Sequence, residues 1–167
     1  VTPAGDVVGR LRDAGLTVAT GESLTGGLVS AALVDVPGSS RVVRGGLVAY
    51  VSELKAQLLG VDRALLARGG AVQAEVAAQL ATGAARVFGA DCGLGTTGVA
   101  GPGPDEGHPA GTVFVAASLA GTVRVRRLRL SGTRPLVRRA STAAVLALLV
   151  GLLEDREQIA SGRSWSR

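Results

Sequence analysis

The sequence predicts a single three-layer α/β/α domain built around a mixed β-sheet. Three observations predict it. Helical patterns alternate with short apolar runs for two thirds of the chain and then give way to two successive strand patterns, the order expected when helices cover both faces of a sheet. The length of 167 residues suits one domain with a full core. Hydrophobic residues make up 47% but aromatics only 2%, and there are 25 glycines, so the core is Val, Leu and Ala and the layers pack closely.

Residues 3–15 read as an amphipathic helix with Val7, Val8, Leu11 and Ala14 on one face and Gly15 as its stop. Residues 16–20 form a first strand. It leads into Gly21-Glu22-Ser23-Leu24-Thr25-Gly26-Gly27, which opens a helix through Val34. A strand entering a Ser/Thr/Gly turn at a helix start suits an anion, with Ser23, Thr25, Gly26 and Gly27 as candidate ligands. It is not a P-loop, because the glycine spacing differs and no lysine follows.

Pro37-Gly38 makes a turn, and Ser39 caps a short helical turn starting at Ser40. Residues 45–51 are a short buried strand, and Ser52 is the N-cap of a helix through Leu59. Within this helix lies Lys55, the one lysine among 18 Lys+Arg residues, five positions after the single tyrosine, Tyr50. Arginine does not lose its proton, whereas lysine does when desolvated. A cation in the first turn of a helix also opposes the dipole. Lysine, tyrosine and a serine pair together suggest a base that activates a serine nucleophile.

A short helix over 63–67 and a long Ala-rich one over 73–88 follow, the latter with Val76, Leu80, Ala84 and Val87 inward. Residues 91–99 are a strand ending in a Gly/Pro-rich loop, 98–104, with Thr97 placed at a crevice and His108 a plain loop residue. Residues 111–118 and 123–130 form a hairpin. The last helix starts after Thr133 and runs to about Glu157. The domain therefore spans 1–157, and 158–167, with Trp165, reads as a disordered tail.

Composition narrows the function. One cysteine rules out an internal disulfide and fits a reducing cytoplasm, and one histidine leaves too few ligands for zinc. No metal or other cofactor is expected. No apolar run approaches a membrane span and no signal-peptide pattern is present, so no membrane role is expected. Net charge is +5, much of it in Arg124, Arg126, Arg127, Arg129, Arg134, Arg138 and Arg139. The alternation at 123–126 reads as a solvated strand face, and aromatic poverty argues against nucleic-acid binding.

Gly21-Glu22-Ser23-x-Thr25-Gly26-Gly27, the Ser39-Ser40 pair, Tyr50-x4-Lys55, Gly70-Ala71-Val72, Thr97-Gly98-Val99-Ala100-Gly101-Pro102 and Gly111-Thr112-Val113 occur in this order. Together they resemble the C-terminal domain of the competence/damage-inducible protein CinA, whose stand-alone form is nicotinamide mononucleotide deamidase. The resemblance runs from residue 3 to about 155. It implies a cytoplasmic, oligomeric amidohydrolase that converts nicotinamide mononucleotide and water to nicotinic acid mononucleotide and ammonia.

By the same resemblance Ser40 and Lys55 are the catalytic pair, with Tyr50 as relay or support. Ser23, Thr97 and Arg134 are supporting residues, Arg138 competing with Arg134 for the last match. Three positions depart from the family pattern: Leu24 for Cys, a change around Ser52 for the Asn after the tyrosine, and Gln73 for Ser. The lost Asn bears on lysine orientation. No counterpart of the family's pyrophosphatase-like N-terminal domain is present in the 167 residues, so that activity is not expected. The rival expectation is a catalytically silent ligand-binding homologue, or a competence-associated protein meeting DNA through Arg124–Arg139.

Overall fold

A computed structural model describes residues 2–162. Five strands form one mixed sheet in the order β2-β1-β3-β4-β5. They are β1 (Val18–Glu22), β2 (Val43–Val48), β3 (Cys92–Gly98), β4 (Thr112–Leu119) and β5 (Thr122–Arg129). β1 pairs in parallel with both β2 and β3, while β4 is antiparallel to β3 and β5. The six helices are α1 (Pro3–Ala14), α2 (Leu28–Val34), α3 (Ser52–Leu59), α4 (Arg63–Gly69), α5 (Ala74–Phe88) and α6 (Arg134–Ala160), with a 3-10 turn at Ser39–Arg41.

Alternation along the strands sorts the side chains between two layers. Val18, Leu94, Val113, Val115 and Ala117 pack with α1, α2 and α6, where Leu11, Leu33 and Leu149 are fully buried. Each leucine buried in this way contributes about 1.5–3 kcal/mol. Ala19 faces Leu59, Val76, Leu80 and Ala84 in the opposite layer, and Ala116 and Phe114 face Ala77 and Ala81. Here α5 rests on strand glycines. A Cβ at Gly93 would collide with the Ala81 carbonyl, and one at Gly95 with the Ala77 carbonyl. The glycine-rich, aromatic-poor composition thus follows from a helix backbone lying directly on β3.

The order of the elements matches the expected fold, and the differences are local. β1 runs on through Glu22, because strand pairing with β2 and β3 continues to that residue. Val51, not Ser52, is the N-cap of α3, and it offers no side-chain cap. Gly38, in a left-handed conformation, starts the 3-10 turn, while the Ser39 hydroxyl donates to the Val34 carbonyl. Val87 is turned outward rather than into the core. By length and hydropathy α6 is apolar enough to span a membrane, contrary to the expectation that no run is; it lies against α1, α2 and the sheet with half of its apolar window buried. Residues 158–160 are the last turn of α6, and the expectation of disorder for 163–167, including Trp165, lies outside the described residues.

Candidate active site

The connection from β1 to β2 runs through α2 on one face, and the route from β2 to β3 runs through α3–α5 on the other. A crevice therefore opens above the carboxyl end of β1, where ligands collect in sheets of this kind. A cavity of about 330 Å³ occupies it, within the range of small-molecule sites. It is lined by Ser23 after β1, Tyr50 and Ser52 after β2, Lys55 on α3, Thr97 on β3, the loop 98–106, and Arg134 at the start of α6.

Lys55 is the unusual member. It is 1% exposed and the largest fully buried side chain. Its Nζ donates to the Tyr50 carbonyl at 2.8 Å, and among the described residues it forms no salt bridge. Burial pushes its pKa below the usual lysine value, against a smaller upward pull from the Glu106 carboxylate. A lysine so placed is a proton acceptor nearer to neutral pH than any exposed lysine.

Tyr50 and Arg134 form the outer wall. Arg134 Nη2 donates to the Tyr50 hydroxyl oxygen at 2.6 Å and its Nη1 to the Gly101 carbonyl at 2.8 Å. A guanidinium carries five N–H donors, so most of this one stays open to a ligand. Arg138, the competing match, is elsewhere: it donates to the carbonyls of Leu24 and Thr25 and braces that turn from α6.

The Thr97 hydroxyl donates to the Ala71 carbonyl at 2.8 Å, so its proton is already committed. Backbone is the better source of donors. Ala100, Gly101 and Gly103 line the cavity, and their amides have no protein acceptor among the described residues.

Several expected residues are not brought to the cavity. Thr25 is fully buried and its hydroxyl is bonded to that of Thr96 at 2.7 Å. Gly26 and Gly27 make the turn into α2, but the N-terminus of that helix is already filled by the Glu22 carboxylate. Glu22 accepts from the amides of Gly27, Val29 and Ser30 at 2.9, 3.1 and 2.8 Å and from the hydroxyl of Ser30 at 2.9 Å. An internal carboxylate therefore sits where an external anion was expected. Ser40 is exposed on the 3-10 turn at the amino end of β2. Tyr50 lies beyond the carboxyl end, about 20 Å away across six strand residues.

Two functional residues escaped the sequence reading. Glu22 was visible within the first motif, but nothing marked it as the cap. Glu106 lies in the Gly/Pro loop and accepts from the amides of Ala71 and Val72 at 2.6 and 3.1 Å, tying the loop across the cavity to the start of α5. The acidic pair Asp105-Glu106 amid glycine and proline was the available signal. Among the described residues, no group of His, Cys, Asp or Glu is placed to hold a metal ion. Cys92 is buried at the start of β3, its thiol pushed up to about 12 by burial.

Comparison with known proteins agrees with the sequence motifs. The profile of the CinA C-terminal domain matches residues 2–153. A CinA-like protein of Frankia casuarinae is 47% identical over 150 residues, covering 89% of this chain and 34% of that protein. A putative competence-damage inducible protein of Desulforamulus reducens is 44% identical over 151 residues, 90% of this chain and 37% of that protein. The chain thus spans about a third of the length of these curated relatives. The crystal structure of a CinA superfamily protein from Klebsiella pneumoniae superposes with a TM-score of 0.88 at 30% identity, covering 92% of this chain and 96% of that one. A competence/damage-inducible protein from Agrobacterium tumefaciens gives 0.86 at 35% identity, covering 90% and 93%. The chain belongs to the CinA C-terminal domain family.

Proposed function

We propose that the cavity is the active site of an amidohydrolase that hydrolyses the carboxamide of nicotinamide mononucleotide to the carboxylate and ammonia. The observation that carries this reading is Lys55, buried in a solvent-connected cavity without an ion-pair partner. Neutral Lys55 takes the proton from a serine hydroxyl, and the serine oxygen bonds to the carboxamide carbon. The amides of Ala100, Gly101 and Gly103 are available for the oxyanion. The C–N bond then breaks as Lys55 returns the proton to departing ammonia. Water attacks the acyl-enzyme with Lys55 again as base, releasing the acid and restoring the serine. Tyr50 holds the lysine through its carbonyl, and Arg134, at the mouth, is the anchor for the substrate phosphate.

Ser40 is the serine in this reading, with Ser23 orienting the substrate. A second reading makes Ser23 the nucleophile, favoured by its place in the same cavity as Lys55 within one chain and by a hydroxyl that bonds to no protein group among the described residues. Ammonia release from nicotinamide mononucleotide by Ser40→Ala and Ser23→Ala separates the two. Loss of all acyl-enzyme in Ser40→Ala, with a milder defect in Ser23→Ala, supports the first. The reverse pattern removes Ser40 from the mechanism.

A further inference from the structure

The loop from β3 to β4 carries the amides of Ala100, Gly101 and Gly103, and its fastenings are few. At its base the Val99 amide donates to the Thr112 carbonyl at 2.9 Å, and the Gly111 amide to the Val99 carbonyl at 2.7 Å. Further along, the Gly101 carbonyl accepts from Arg134. Beyond that point, among the described residues, residues 102–108 reach the rest of the fold through two hydrogen bonds. Both end on one carboxylate oxygen: the amides of Ala71 and Val72 donate to Glu106 Oε2.

The backbone is shaped for that contact on both sides. Asp105 and His108 exchange backbone hydrogen bonds of 3.0 and 2.8 Å, and Glu106 and Gly107 between them take positive φ, 46° and 75°. This is the two-residue turn of a tight hairpin, with Glu106 at its apex. A glutamate at positive φ is uncommon and marks a constraint. Glu106 is otherwise exposed, so core packing does not supply that constraint. On the receiving side Ala71 and Val72 are buried, and their amides have no other acceptor among the described residues. A Cβ at Gly70 would collide with the Glu106 carboxylate, so glycine is what lets this turn close around it.

We infer that Glu106 is a positioning residue, whose carboxylate latches the β3–β4 loop across the cavity to the Gly70-Ala71-Val72 turn and so holds the amides of Ala100, Gly101 and Gly103 where an oxyanion forms. With the latch closed, the loop is held from α6 by Arg134 and from the start of α5 by Glu106. Released, it turns about Gly101 and Gly111, whose φ values are 90° and 85°, and the donors leave together. The effect on the reaction rests on the amidohydrolase reading; the latch rests on the contacts of Glu106 alone.

Two variants, each checked for folding by circular dichroism, separate the latch from the charge. Both amides end on the same oxygen, so the side-chain oxygen of Glu106→Gln can take its place, whereas Glu106→Ala has no acceptor. Both variants remove the charge that pulls the Lys55 pKa upward, so any change in the base is common to the two. Hydrogen exchange at the Ala71 and Val72 amides, followed by NMR, reads the latch directly. It should quicken by about tenfold or more in Glu106→Ala, the effect of losing a hydrogen bond to a charged group, while Glu106→Gln keeps most of the protection. Equal exchange in Glu106→Ala and wild type overturns the latch whether or not the protein is an amidase.

Ammonia release from nicotinamide mononucleotide then tests the positioning. Glu106→Ala should lower kcat and kcat/KM together by about 10²-fold, because the donors act in the transition state and a misplacement of about 1 Å has that effect. Glu106→Gln should recover most of the loss. A raised KM at unchanged kcat, or a Glu106→Gln protein as slow as Glu106→Ala, overturns the positioning role. A wild-type protein without ammonia release overturns the amidase reading and the positioning role with it, while hydrogen exchange still decides the latch.

Discussion

Replacing Glu22 by Gln removes a charge at a site that no solvent reaches. The side chain is 1% exposed, and its two oxygens divide the work. Oε2 accepts from the amides of Gly27 and Val29, and Oε1 from the amide and hydroxyl of Ser30 and, at 3.3 Å, from Thr20. Glutamine keeps one acceptor oxygen and presents an NH2 group to the other set of donors. With the NH2 in the place of Oε2, the Gly27 and Val29 amides lose their partner; in the place of Oε1, it faces the Ser30 amide, and only the hydroxyls of Ser30 and Thr20 can rotate. One or two buried donors at about 1–3 kcal/mol each give a loss of about 1–6 kcal/mol. That is a large part of the 5–15 kcal/mol by which a domain is usually stable. Urea unfolding at pH 7 followed by circular dichroism measures it, with the midpoint expected to fall at unchanged slope. A loss below about 0.5 kcal/mol, the ordinary effect of a surface change, would refute the assignment of Glu22 as the cap of α2.

Further outcomes follow from the same packing. Lys55→Met should stabilise the fold, most at low pH. The folded lysine has a lowered pKa, so the unfolded chain binds the extra proton; the handicap is complete below the folded pKa and fades as pH rises toward 10.5, and equal gains at pH 6 and pH 10 would contradict this. Gly83→Ala should cost about 1–3 kcal/mol in urea unfolding, since a Cβ there meets the Leu59 carbonyl across the α3–α5 contact. Duplex DNA should bind the exposed β5 arginines weakly and be released by about 200 mM salt, and a salt-resistant complex in a filter or mobility assay would argue for a nucleic-acid role.

Local chemistry made most of the fold legible. Gly15 ends α1 in the left-handed conformation that a glycine stop requires, and Thr133 with Pro135 starts α6 where helix-entry rules put it. Ala120 and Gly121 both take positive φ, the two-residue turn of the β4–β5 hairpin. Lys55 stood out because its residue type was unique in a chain that otherwise writes arginine. What a sequence lacks is which polar group meets which. The turn at 23–27 reads equally as a site for an external anion and as one already filled from within, and only the fold brings the Glu22 carboxylate into α2. Likewise nothing in the spacing of Ser40 and Lys55 records that a whole strand runs between them, pointing from one side of the sheet to the other. Glu106 was hidden for the same reason: its partners, Ala71 and Val72, are more than thirty residues away and are backbone.

The central claim is that Lys55 acts as a neutral base on a carboxamide. The direct measurement is ammonia release from nicotinamide mononucleotide by the wild-type protein and by Lys55→Arg, with circular dichroism to establish that both are folded. Arginine stays protonated and cannot accept the proton, so turnover should fall by about 10²–10⁴-fold, the usual cost of a lost general base. A folded Lys55→Arg protein with turnover near that of wild type would contradict the account.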